Sequence, residues 1–180
     1  MLSLHDDYLA RLEPWSDIQD CLVRLHETAA RYPRVRVLEL GVRSGNSTAA
    51  FLAAADEADG HVWSADIMTP DVPAHWHDCG RWTFILGDDM IITPPPGLSD
   101  ILFIDSSHRR AHTLAELRKF APLVKPGGRV LLHDTRLEHV DGEETPFPVA
   151  RAVNVFCGET GLQWTDHDAR YGLGEIVIPA

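Results

Sequence analysis

Five short runs rich in β-branched and aromatic residues alternate with helical patterns or turn residues along the middle of the chain. They are "RVRVLEL" (34–40), "HVWSADI" (61–67), "WTFILGD" (82–88), "DILFIDS" (100–106) and "RVLLHD" (129–134). Runs of that composition, bounded by Gly, Pro and Asp, read as strands. Residues 46–58 and 109–124 have helical spacing, and in the second Leu114, Leu117, Ala121 and Val124 mark one apolar stripe that "KPGG" ends. Strand and helix alternating in this way require a mostly parallel sheet covered on both faces, because each crossover lays a helix on the sheet.

The ends of the chain depart from that rhythm. "SDIQDCLVRLHETAARY" carries Ile18, Leu22, Leu25 and Ala29 at helical spacing, and Ser16 with Gln19 makes a capping-box pattern after Pro14. A helix is expected at about 147–159. Beyond it, "LQWTD" and "GLGEIVI" are joined by so short a link that they should pair antiparallel. The expectation is one domain over 1–180, with an N-terminal helical extension at 1–32 and a doubly wound α/β core at 34–180. The charged, Pro-containing loop 135–148 follows a central strand, a position that usually belongs to a binding face.

Composition narrows the function classes. Lys and Arg number 16 against 27 acids, a formal charge of −11, and no basic block stands out. Phosphate neutralisation dominates nucleic-acid affinity, so a nucleic-acid partner is not expected. The three cysteines, Cys21, Cys79 and Cys157, give neither a disulfide framework nor a CxxC pair and point to a reducing cytosol. No apolar run approaches a signal peptide or a membrane span, so the reading is soluble, cytoplasmic and without a membrane partner.

Acids at strand ends carry the functional signal. Glu39 lies inside the first apolar run, two residues before Gly41, and Gly45 follows near a helix start. A carboxylate there would repel a pyrophosphate, so it argues for a cationic or zwitterionic ligand. Asp66 ends the second run, where it could accept both hydroxyls of a ribose. Asp88 and Asp89 end the third, where they could receive an exocyclic amine. Amine, sulfonium, ribose and adenine met by successive acids describe S-adenosylmethionine better than NAD.

With "ELGVRSG", "SADI", "GDD", "FIDSSH" and "VKPGGRVLLHD" in order over roughly 34–134, the chain resembles the class I S-adenosylmethionine-dependent methyltransferases. It is most similar to the small-molecule O-methyltransferases of the family-24 type. The resemblance implies a Rossmann-like seven-stranded sheet, mostly parallel, with an antiparallel C-terminal strand pair and helices on both faces. It implies cofactor binding by Glu39, Gly41, Ser44, Gly45, Asn46, Asp66, Ile67, Gly87, Asp88, Asp89 and Asp105, and methyl transfer to a hydroxyl of a small molecule. Arg43 stands where many members have glycine, and should point away or reach a carboxylate. The short N-terminal extension leaves little material for a substrate lid, which a second subunit of a homo-oligomer could supply.

For the chemistry, the resemblance places Asp105 where the methyl group is delivered, and His108, three residues on, has an ordinary pKa of about 6.5 that suits a general base. His108 and His112 have zinc-like H-x3-H spacing, but Arg109 and Arg110 would repel a cation, and His112 reads as a surface or capping residue. Asp105 with Asp134 is the candidate metal pair, for Mg2+ or another divalent ion. His133 stands where sugar-hydroxyl relatives have a further acid, and could instead point to the opposite strand face. In "DVPAHWHDCG" (71–80), a loop folded over the cofactor with Trp76 or Trp82 as apolar cover is preferred to a metal site. An NAD(P)-dependent oxidoreductase and a non-catalytic cofactor-binding protein are the competing readings.

Overall fold

The computed structural model describes residues 3–180. Its seven strands form a single sheet in the order β3-β2-β1-β4-β5-β7-β6. They are β1 (Arg36–Leu40), β2 (His61–Asp66), β3 (Trp82–Leu86), β4 (Ser99–Ile104), β5 (Val124–His133), β6 (Trp164–His167) and β7 (Leu173–Val177). The first five pair parallel, and β7 inserts antiparallel between β5 and β6. The expected doubly wound sheet with an antiparallel end is therefore the observed one.

Alternation along each central strand divides the core in two. Val37, Ile101, Phe103 and Leu131 belong to the core on the side of α1 (Leu4–Ala10), α2 (Leu22–Ala29), α3 (Asn46–Glu57) and the short α4 (His75–Asp78). Leu38, Leu40, Leu102, Ile104, Val130 and Leu132 face α5 (Arg110–Phe120) and α6 (Pro148–Thr160). The run Ala49–Ala55 of α3 is buried all round, as a helix apolar on every side must be. The sheet covers one side of it and α1 and α2 the other. The N-terminal extension thus spends its apolar residues Leu4, Tyr8, Leu22 and Leu25 on this core. Each such side chain contributes about 1.5–3 kcal/mol when fully buried.

Two local expectations are corrected. Residues 16–32 are not one capped helix. A 3-10 turn at Gln19–Cys21 precedes α2, Ile18 provides no side-chain cap, and the Gln19 amide donates back to the carbonyls of Leu12 and Glu13. The capping box is at Ser3 and Asp6, heading α1. Likewise "KPGG" does not merely stop a helix: α5 ends at Phe120, and β5 already begins at Val124. The β4–β5 register shifts between Ser99↔Val124 and Ile101↔Arg129. Gly128 lies in that irregularity, where a Cβ would come 2.7 Å from the Asp100 carbonyl oxygen. A side chain would force the strands apart.

Candidate active site

The strand order reverses direction between β1 and β4, the place where open α/β sheets form a crevice at the carboxyl ends of their strands. The two strand ends are in close contact. The Asp105 amide donates to the Leu40 carbonyl at 2.8 Å. Gly41, at φ +91°, sits so tightly on this junction that a Cβ would lie 2.1 Å from the Asp105 carbonyl oxygen. A cleft of about 630 Å³ opens there.

Of the residues expected to hold the cofactor, Gly41, Asp66, Ile67, Gly87, Asp88, Asp89 and Asp105 line this cleft. Asp66 also organises the glycine loop: Oδ2 accepts from the amides of Val42 (2.8 Å) and Arg43 (3.0 Å), and Oδ1 from that of Met68 (2.9 Å). After it, Ile67 and Met68 are 72% and 70% exposed and form an apolar shelf beside the acid. Arg43 reaches a carboxylate, pairing with Asp17 at the cleft edge. Ser44, Gly45 and Asn46 do not line the cleft. Gly45 faces inward, where a Cβ would meet the Trp76 ring at 2.8 Å.

Glu39 is a correction. It is 0% exposed and lies on the α3 face of β1, away from the cleft. Its Oε1 accepts from Ser47 (2.7 Å), and Oε2 accepts from Thr48 (2.7 Å) and Ser64 (2.6 Å). The carboxyl group ties the start of α3 to β1 and β2 and does not line the cleft. Burial pushes its pKa up to about 7 against the three hydroxyl hydrogen bonds, which hold it down. Trp76 and Trp82 are likewise core residues. The Trp76 indole donates to Asp7 at 2.7 Å, and its ring packs edge-on against Trp82, so neither covers the cleft.

At the inner end of the cleft, His108 Nε2 lies 3.0 Å from Asp105 Oδ1 and 3.0 Å from Asp134 Oδ2. The sequence leaves open whether His133 faces these acids; in the structure its Nδ1 is 3.4 Å from the first oxygen and 3.2 Å from the second. Consecutive strand residues normally diverge, but Asp134 has φ +61° and turns its side chain back beside His133. His108 is also left-handed, at φ +56°. A left-handed non-glycine residue costs roughly 1–2 kcal/mol, and the four-member cluster holds both.

Burial disfavours a charged imidazole, but the bonds to Asp105 and Asp134 outweigh it and push His108 up to about 10. His133 is pushed up to about 12 for the same reasons. Burial would raise the Asp105 carboxyl, yet its bonds to His108 and His133 hold it well below the usual carboxylate range. The expected ordinary pKa of His108 is therefore replaced by a raised one.

His112 is not the surface residue that the sequence implied. It lines the cleft, and its Nε2 is 3.2 Å from Asp89 Oδ2. His108 precedes α5 in left-handed backbone, so the H-x3-H spacing does not stack the two imidazoles on one helical turn. The helical pair is instead His112 and Glu116, one turn apart on α5. Glu116 is fully buried, and burial with the neighbouring Asp89 pushes its pKa up to about 9 against the Ser106 hydrogen bond.

Comparison with known proteins agrees with this architecture. A family model described as a methyltransferase domain matches residues 38–135. No curated protein matches the chain by sequence. Among solved structures, a provisionally assigned caffeoyl-CoA O-methyltransferase from Staphylococcus aureus superposes with TM-score 0.72 at 16% identity, covering 97% of this chain and 90% of that one. MycE methyltransferase from the mycinamycin biosynthetic pathway, in complex with Mg and SAH, gives 0.69 at 21%, covering 98% of this chain and 53% of its own. Cofactor-bound Rv0187 from MTB gives 0.69 at 20%, covering 97% and 89%. At these identities the likeness is one of fold.

Proposed function

From the premise that this chain belongs to the methyltransferase-domain family, whose model it matches over more than half its length, we propose that it transfers a methyl group from S-adenosylmethionine to a hydroxyl of a small molecule. That membership sets aside the oxidoreductase alternative. The observation that carries the reading is the cluster of His108, Asp105 and Asp134 at the inner end of an acid-lined crevice. A cleft of about 630 Å³ is of cofactor-binding size. Its aspartates suit a ligand that carries a sulfonium and an amine. Ile67 and Met68 offer an apolar shelf for a purine, with Asp66 beside the ribose and Asp88 toward the amine.

Bound S-adenosylmethionine would supply an electrophilic methyl group, whose transfer to oxygen breaks the sulfur–methyl bond, leaves the electron pair on sulfur and frees one proton. The chain's part is to align the hydroxyl and take that proton. His108 Nε2 is occupied by the two carboxylates, which leaves Nδ1 as the nitrogen able to accept. Asp105 and Asp134 then stabilise the imidazolium that forms and fix the ring's orientation.

Magnesium does not fit this donor set. The ion prefers an octahedron of oxygens, whereas here two imidazoles, through His133 Nδ1 and His108 Nε2, crowd one oxygen of Asp105 and one of Asp134. Ring nitrogens, not further oxygens, complete this set, so no step is routed through magnesium. Adding about 10 mM magnesium is expected to change the initial rate less than about twofold; a tenfold activation would restore the metal pair Asp105 and Asp134.

Seven aspartates line the cleft, and its single arginine is taken by Asp17. The acceptor is accordingly neutral or cationic. Calorimetric titration with S-adenosylhomocysteine tests the cofactor reading: micromolar binding is expected, and no heat at about 1 mM ligand would end it.

A further inference from the structure

A second group of ionisable side chains occupies the wall between the end of β3 and α5. We propose that Asp89, His112 and Glu116 form a binding site for one divalent transition-metal ion of the zinc class. Their ligand atoms all lie within 4.8 Å of one another. His112 Nε2 is 3.0 Å from Asp89 Oδ1 and 3.8 Å from Glu116 Oε1. Zinc with nitrogen and oxygen ligands at about 2.0–2.1 Å in a tetrahedron needs donor atoms roughly 3.4 Å apart. The two distances bracket that edge.

One buried oxygen points to a missing partner. Glu116 Oε2 has no hydrogen bond although Glu116 is 0% exposed, while Asp89 Oδ1 beside it has only the His112 ring nitrogen at 3.0 Å. A buried carboxylate oxygen without a partner is costly, and a cation held between Asp89 and Glu116 satisfies it. Here the second cluster differs from that of His108, in which two imidazoles meet two aspartates. In the wall, two carboxylates share a single imidazole.

The surroundings hold the ligands in place. His112 and Glu116 sit one turn apart on α5, so the helix sets their spacing. The Ser106 hydroxyl donates to Glu116 Oε1 at 2.6 Å, orienting the carboxylate. Lys119 donates to the carbonyls of Asp89 (2.7 Å) and Ile92 (3.2 Å), fixing the loop that carries Asp89. Asp89 and His112 line the cleft, which gives an ion an entry path and leaves a fourth coordination position open.

The full chain, stripped with chelator and returned to chelator-free buffer, is titrated with cobalt(II), whose visible bands report tetrahedral coordination. One equivalent is expected to bind at micromolar concentration or tighter and to be displaced by zinc. His112→Ala and Glu116→Gln should each weaken binding at least about 30-fold, while Asp134→Asn leaves it within about threefold. His112 is partly exposed, so its variant tests the site even if Glu116→Gln fails to fold. Absence of visible bands with binding weaker than about 1 mM would overturn the proposal. So would binding lost in Asp134→Asn but kept in His112→Ala, which would place the ion at the other cluster. The site shares a wall with the cleft proposed for the cofactor, so S-adenosylhomocysteine titration of the chelator-stripped chain, which needs no ion, tells failure of that reading from failure of this one.

Discussion

His108→Ala is expected to lower kcat/KM for methyl transfer about 10²- to 10⁴-fold, the range for loss of a positioned general base, while S-adenosylhomocysteine affinity stays within about threefold. The side chain lies between Asp105 and Asp134 and caps no helix, so its removal should take away chemistry more than cofactor binding. The pH profile separates a base from a merely structural histidine. The base must be neutral to accept a proton, and the folded pKa of His108 is pushed up to about 10. Activity should therefore rise with pH well past the ordinary histidine value and fall as pH drops through the raised one. Asp134→Asn removes one of the two carboxylates that hold the proton and should move this limb toward lower pH by a unit or more. The limb belongs to the coupled cluster of two imidazoles and two aspartates, not to one ring alone. A loss smaller than about tenfold in His108→Ala, or a limb that Asp134→Asn leaves in place, would remove His108 from the proton's path.

The cluster has a consequence for the resting enzyme. A raised pKa makes His108 a stronger base but keeps most of it protonated at neutral pH. Neutral-pH turnover would then be limited by the small fraction of chains with a free Nδ1 lone pair. A bound cofactor brings positive charge to the same crevice, and a positive neighbour disfavours the imidazolium. Cofactor binding is thus expected to release a proton from the cluster and raise that fraction, coupling occupancy of the cleft to readiness of the base.

What the sequence made legible is what depends on periodicity and on glycine. The strand runs, the central helices and the closing hairpin follow from alternation that only a two-faced sheet satisfies. Gly41 is needed because no side chain fits against the Asp105 carbonyl. The residues that line the cleft at or just beyond a strand end, Asp66, Asp88 and Asp105, were also accessible, because a carboxyl end fixes position. The direction of a side chain within a strand was less so. Glu39 lies one residue short of the strand end, and that offset turns it to the α3 face. His133 and Asp134 fail in the opposite way, since a left-handed residue defeats the alternation that would have parted them. His112 was misjudged because spacing alone paired it with His108, and nothing local shows that His108 stands outside the helix. Its pairing with Glu116 was present in the sequence as H-x3-E. Trp76 was read as cover for the cofactor and not as core because its partner, Asp7, lies 69 residues away.

Glu39 gives the largest expected effect on stability. In Glu39→Ala, the hydroxyls of Ser47, Thr48 and Ser64, each at most 4% exposed, lose their acceptor together. Unsatisfied buried polar groups cost about 1–3 kcal/mol each, so the loss should be about 3 kcal/mol or more, read as a shift of the denaturant midpoint. A loss below about 1 kcal/mol would mean that the hydroxyls find other partners. The same residue contributes a pH dependence of unusual sign for a carboxylate. Its folded pKa of about 7 exceeds the ordinary 4.5, so in that window the folded chain holds more proton than the unfolded one. Stability from this group is therefore greatest below about pH 4.5 and falls as pH rises to about 7, by a few kcal/mol at most. The protonated imidazoles act in the same direction above about pH 6.5, where unfolded histidines lose their protons, so a falling curve in the wild type is not diagnostic. Glu39→Gln isolates the contribution, because the amide keeps the shape but cannot ionise. The difference in unfolding free energy between pH 5 and pH 8 should shrink in this variant; if it is unchanged, Glu39 is ionised throughout and its three hydroxyl donors outweigh burial.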